Sequence, residues 1–178
     1  MQLSTRLFAG LCAGCLCVSF ASSAAPEKSP TGVDVIWAYA GTWKIETEHF
    51  DTAHSKAAHE KTTLFNDCWK SGGYVACNQY VDGESKVLIV FTYSEKDKVY
   101  TSYQVPSDGS APGSGKLTIE GNVWTFPWQI TDAGTTTYYR VVNVFSSPDT
   151  IEYRQEYSTD KEHWTVTARG HELKIASK

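Results

Sequence analysis

The sequence predicts an all-β fold: an antiparallel, up-and-down, lipocalin-like barrel of about ten strands. Three observations carry that expectation. Turn-forming clusters recur roughly every ten to fourteen residues along most of the chain, the spacing of a strand meander. Between them, apolar and polar residues alternate with period two, and no twelve-residue stretch carries a helical pattern. Aromatic residues make up 13%, with six Trp and ten Tyr, and such residues favour strands and apolar pockets.

The first segment reads as an export signal. MQLSTR holds one basic side chain, LFAGLCAGCLCVSFA carries no charge, and SSAAPEKSP is small and polar. That order matches the three regions of a signal peptide. Ser22-Ser23-Ala24 places small residues where signal peptidase reads them, so cleavage is expected after Ala24. The rival is a lipoprotein with Cys15 as its modified residue, but Cys12 stands where an aliphatic residue belongs. The apolar run is too short for a comfortable membrane span. The mature protein is therefore expected in the periplasm or outside the cell, without stable membrane insertion. Three units follow: residues 1–24 as signal peptide, 25–36 as a lead-in, and 37–176 as the barrel domain.

In the lead-in and beyond it, Asp34 to Tyr39 reads as a helical turn or a plug over one barrel end. GTWKIETEHF is the first strand. Asp51 to His59 is a loop, in which His54 and His59 join His49 of the first strand. Their spacing matches no zinc motif, and a solvated loop explains them.

KTTLFNDCWK and YVACNQYVD then form a hairpin around Gly72-Gly73. Gly-Gly supplies the positive φ that two-residue hairpin loops need. With those two residues in the loop, Ser71 faces Tyr74, Trp69 faces Ala76, and Cys68 faces Cys77. Counting from a hydrogen-bonded Ser71–Tyr74 pair makes Cys68–Cys77 a non-hydrogen-bonded pair, with Cα atoms about 4.5 Å apart, within disulfide range. The same register stacks Phe65 on Tyr80 on the other face. Export supplies the oxidising compartment. Free thiols and a redox-active pair are the alternatives, and the Cys-x-x-Cys spacing of the latter is absent.

SKVLIVFTYS and KVYTSYQVP follow, joined by a turn at Glu95-Lys96-Asp97, then a Gly/Ser/Pro-rich loop, SDGSAPGSG. GKLTIEG, NVWTFPWQI, TTTYYRVVNVFS, DTIEYRQEYS and HWTVTARGHELKI complete the strands. Pro127 within a strand marks a bulge or an unpaired stretch, because proline lacks the ladder donor. A meander of this many strands must hide its edges, and closure does so. Eight or more strands leave room for a ligand.

The motifs resemble a known group. Gly41-Thr42-Trp43 resembles the Gly-x-Trp signature of lipocalin-like barrels. The Cys68 to Cys77 hairpin, with its Trp69 and Gly72-Gly73, resembles that of exported bacterial lipocalin-like proteins of unknown function. Tyr93 to Tyr100 resembles that family's turn after the fourth strand. Ser147-Pro148-Asp149 and Ser158 to Trp164 resemble its last hairpin, with Lys161 where the family usually has Gly. The likeness covers about residues 37–176. It implies a ten-stranded barrel, export and a disulfide. It implies no reaction, so no catalytic residue is carried over.

The candidate chemistry is sparse. Net charge is −4 and no basic patch is visible, which argues against a nucleic-acid partner. No nucleophile elbow or phosphate-cradling loop occurs, so no catalytic residue is named and no cofactor is expected. Trp124, Phe126 and Trp128 alternate on one face and are expected to line a cavity for a small apolar or amphipathic molecule. Tyr138 and Arg140 share a face; pointing inward, Arg140 would meet an acidic headgroup, and pointing outward it would be ordinary. His171 alternates with Leu173 and Ile175 on a face expected to be buried, where it reads first as a satisfied core histidine and second as a candidate haem ligand. The alternative function is a protein-interaction module whose barrel is filled with side chains and whose outside carries an apolar patch.

Overall fold

The computed structural model describes residues 32–177. The export segment and any lipid-modified Cys15 lie outside these residues. A 3-10 helix, Gly32–Tyr39, leads into ten strands: β1 Gly41–His49, β2 Ala58–Ser71, β3 Tyr74–Val81, β4 Glu84–Ser94, β5 Val99–Pro106, β6 Gly113–Glu120, β7 Val123–Asp132, β8 Thr135–Ser147, β9 Thr150–Ser158 and β10 Thr165–Ala176. Each strand pairs with its sequence neighbours, and β1 pairs with β10 to close the barrel. All ten ladders are antiparallel. Closure removes the two outer edges that an open ten-stranded sheet would present.

The hairpin register follows from its turn. Gly72 sits at φ 56°, where a Cβ would be strained. Ser71 pairs with Tyr74, Trp69 with Ala76, Cys68 with Cys77 and Phe65 with Tyr80. Cys68 and Cys77 are joined by a disulfide across Cα atoms 4.0 Å apart. The Phe65 and Tyr80 rings stack at 5.8 Å on the outer face. The bridge fits a chain that folds in an oxidising compartment, and no described helix is long and apolar enough to cross a membrane.

Side-chain direction follows the pleat. In β1, Trp43 and Thr47 are buried, while Lys44 and Glu48 face out. Across the outer face, Lys61 of β2 meets Glu46 at 2.7 Å. The apolar set Val99, Thr101, Tyr103 and Val105 of β5 faces solvent, with Tyr103 47% and Val105 50% exposed. Tyr100, Ser102 and Gln104 turn inward.

One end of the barrel is plugged. The 3-10 helix packs against β3 and β4, and its Ile36, with Ala40, joins Cys68, Val75, Cys77, Phe91, Leu117 and Trp124 in a buried floor. Trp43, fully buried, packs with Leu64 and Ile151 beside it and donates its indole N–H to the Tyr39 carbonyl at 3.0 Å. The other end, where β1 turns into β2 and β9 into β10, is the mouth. The β1–β2 loop folds over it, setting the His54 ring 4.2 Å from Tyr157 and 5.7 Å from Tyr139. Lys161, in the β9–β10 connection, has φ 68°, the left-handed conformation that explains why glycine suits that place.

Candidate functional site

Above the floor, the lumen encloses a cavity of about 210 Å³. Its walls come from alternate residues of six strands. Leu64, Ile89, Phe91, Phe126 and Val141 supply apolar surface. Cys77 of the disulfide also borders it, and the remaining lining is polar: Tyr39, Asn66, Gln79, Asn143 and Glu172.

These polar groups form a connected arrangement. Asn143 donates its amide N–H to the Tyr39 hydroxyl. Asn66 donates to the Tyr39 carbonyl at 3.2 Å, and Gln79 donates to the Asn66 side-chain oxygen at 3.3 Å. Two acceptors are left over. Asn143 Oδ1 is buried and has no hydrogen-bond partner. The Glu172 side chain is 8% exposed, and no described residue donates to its carboxylate. Lys174, two residues on, turns its ammonium to the Ala38 carbonyl at 2.9 Å and to the Trp43 ring.

Electrostatics follow from burial. Removal from water pushes the Glu172 carboxyl up to about 7, against a small opposing effect of His171 outside the wall. Burial raises the Tyr39 hydroxyl well above the usual tyrosine range; the Asn143 bond works the other way, and the Glu172 charge adds to the rise. Tyr153, joined to Thr47, is also raised, first by burial. The cavity thus combines an apolar lining with one buried carboxyl and a hydrogen-bonded polar set around Tyr39.

The sequence-predicted residues fall in different places. Phe126 lines the lumenal cavity. Trp124 is in the packed floor, edge-on to Tyr39 at 4.9 Å. Trp128 stacks on Tyr139 at 5.4 Å near the mouth. Trp128 and Tyr138 meet in an open cleft of about 630 Å³ with Trp164 and Lys161.

Arg140 and Tyr138 point outward, so the lumenal headgroup role expected of Arg140 does not survive its placement. Arg140 pairs with Glu156 at 2.5 Å and lies over the Trp164 ring at 3.9 Å. Glu156 also takes Arg154 at 2.8 Å. That cluster holds the outer faces of β8 and β9 together.

His171 is a second correction. Its face is the outer one: Leu173 is 45% and Ile175 49% exposed. The ring bonds the Glu152 carboxylate at 2.6 Å through Nδ1, on the wrong side of the wall for a lumenal haem. Among the described residues, no group of three His, Cys, Asp or Glu is placed to hold a metal.

Sequence reasoning missed Glu172. Its phase could be read only from the ladder it joins: it pairs with Ile45 of β1 and Ile151 of β9, both on the inner face. Neighbouring Leu173 and Ile175 drew the apolar side of β10 to the wrong face.

The wall also has a seam. β6 and β7 pair only through Thr118–Thr125, Ile119–Trp124 and Glu120–Val123. Beyond that, Pro127 bonds on the β8 side alone, opposite Arg140. A recess of about 380 Å³ opens there, bounded by lumenal Ser102, Gln104 and Phe126 and by outer Lys116.

Compared with known proteins, no family model matches this chain and no curated protein matches it.

Proposed function

We propose that the mature domain is an exported, lipocalin-like carrier or receptor that binds a small amphipathic molecule inside its barrel. The observation that carries this reading is the lumenal cavity of about 210 Å³, lined by apolar side chains together with a few placed polar ones. An apolar cavity of roughly 150 Å³ accepts benzene, so this one suits a single ring with a short tail. Ligand sites are commonly concave and mostly apolar, with a few placed polar groups, which is the composition found here. Export is supported by the sequence of the first 24 residues and fits the Cys68–Cys77 bridge.

n-Propylbenzene is a direct probe. Calorimetric titration is expected to give saturable one-to-one binding with Kd on the order of 0.1–1 mM, since a ligand of this size gains roughly 0.5 kcal/mol per heavy atom. Val141→Trp, which fills the cavity from the β8 wall, is expected to abolish it. Absence of saturable heat with the wild-type protein contradicts the reading.

One observation favours the interaction-module alternative. Trp69 of β2 and Tyr103 and Val105 of β5 leave apolar surface exposed on the outside. That alternative also needs a filled interior, and the lumenal cavity weighs against it.

A further inference from the structure

We propose that the lumenal ligand carries a protonated amine, which Glu172 receives in the cavity with Asn143 as a second acceptor. This inference rests on the lumenal-binding reading and adds the chemistry of the ligand's head.

The argument begins with hydrogen-bond demand. A buried carboxylate presents only acceptor sites, and a buried carboxamide oxygen adds two lone pairs. Glu172 and Asn143 both line one cavity; among the described residues Asn143 Oδ1 is buried without a donor, and burial, not a hydrogen bond, dominates the surroundings of the Glu172 carboxyl. Buried polar groups are nearly always satisfied, and those left over call for a partner from outside the chain. What these two lack is a donor. A carboxylate or phosphate headgroup brings more acceptors and repels Glu172. A hydroxyl brings one donor. An ammonium brings three donors and a positive charge.

Charge gives the same answer. The lumen holds one acidic side chain and no free cation within the described residues, because the Lys174 ammonium is engaged by the Ala38 carbonyl and the Trp43 ring. Arg140 and Arg154 are outside, both spent on Glu156. An ammonium entering this cavity meets the opposite charge of a buried carboxylate, where hydrogen bonds between charged groups are stronger than in water. The apolar flank formed by Ile89, Phe126 and Val141 would take the ligand's ring or chain.

Three probes of matched shape test this. Phenethylamine and n-propylbenzene differ by an ammonium in place of a methyl, and 3-phenylpropanoate carries the opposite charge. At pH 8, titrated against the folded protein, phenethylamine is expected to bind at least tenfold more tightly than n-propylbenzene, and 3-phenylpropanoate at least tenfold more weakly than the amine. In Glu172→Gln, with folding verified by a thermal melt, the advantage of the amine over the alkane is expected to fall to about one. If n-propylbenzene binds while phenethylamine gains nothing over it, the amine inference is overturned and lumenal binding stands; the two acceptors are then served by water alone. If the carboxylate binds as well as the amine, the inference is overturned in the same way. If none of the three binds, both readings fall.

Discussion

At pH 8, Glu172→Gln is expected to be more stable than the wild-type protein by up to about 3 kcal/mol, and at pH 4 the two are expected to be alike. The sign comes from linkage. Burial raises the Glu172 carboxyl from the ordinary 4.5 to about 7 in the folded state. Below pH 4.5 the group is protonated in both states and has no effect. Between 4.5 and 7 the unfolded chain ionises and the folded one does not, so stability falls as pH rises. Above 7 both are ionised and the loss is constant, about 1.4 kcal/mol for each pH unit separating the two values. Glutamine keeps the shape and cannot ionise.

The groups held below their usual range act elsewhere. Glu46 and Glu84, lowered by their bonds to Lys61 and Lys86, and Asp160, lowered by bonds from His163, work at pH values under 4.5. Thermal melts of both proteins from pH 4 to 8 check the prediction. For a domain of this size each kcal/mol moves Tm by about 2–4 °C, so a gap of roughly 6–12 °C is expected at pH 8. Equal Tm values across the range would mean that the Glu172 carboxyl is solvated and not raised by burial. A carboxylate that lowers the stability of the empty barrel is what a binding site can carry and a purely structural position has no reason to keep.

The largest loss of stability is expected for Trp43→Ala. Trp43 is fully buried, is packed with Leu64 and Ile151, and ties the 3-10 helix to β1 through Tyr39. Deleting a buried Trp costs about 3–5 kcal/mol, which predicts a fall in Tm of at least 6 °C. Trp69→Ala supplies the contrast, since Trp69 is 39% exposed on the outer face, and its loss is expected to stay within about 1 kcal/mol. A loss at Trp43 no larger than at Trp69 would contradict the packing described here. Gly41, two residues before Trp43, shows why the Gly-x-Trp pair belongs together. At φ 116° its place would put a Cβ 2.3 Å from the Ala176 carbonyl oxygen, so only glycine lets β1 close on the end of β10 while Trp43 drops inward.

The sequence was most informative where a short turn fixes register. Gly72-Gly73 determines every pair of the β2–β3 hairpin, because a slip of one residue would move Cys68 to the opposite face from Cys77. Strand number was legible for the same reason, from the turn clusters. The side each face takes was harder to read. In β5 the apolar stripe faces solvent, and in β10 Glu172 faces inward while Leu173 and Ile175 face out. A barrel whose lumen holds Asn66, Gln79, Asn143 and Glu172 breaks the rule that apolar means inside. Irregular pairing between Val166 and Ala168 and between Phe145 and Ser147 also shifts the phase, and no residue pattern announces such shifts. For that reason alternation alone points Arg140 and His171 toward the lumen and leaves Glu172 unmarked.

The central claim is that the ligand lies within the ring of strands. Methyl-labelled protein titrated with phenethylamine tests it by NMR, because inner and outer methyl groups are separate reporters. Shifts concentrated at Leu64, Ile89 and Val141, with Val105, Leu173 and Ile175 unmoved, are the predicted result. Shifts confined to the outer set would place the ligand on the surface and contradict it.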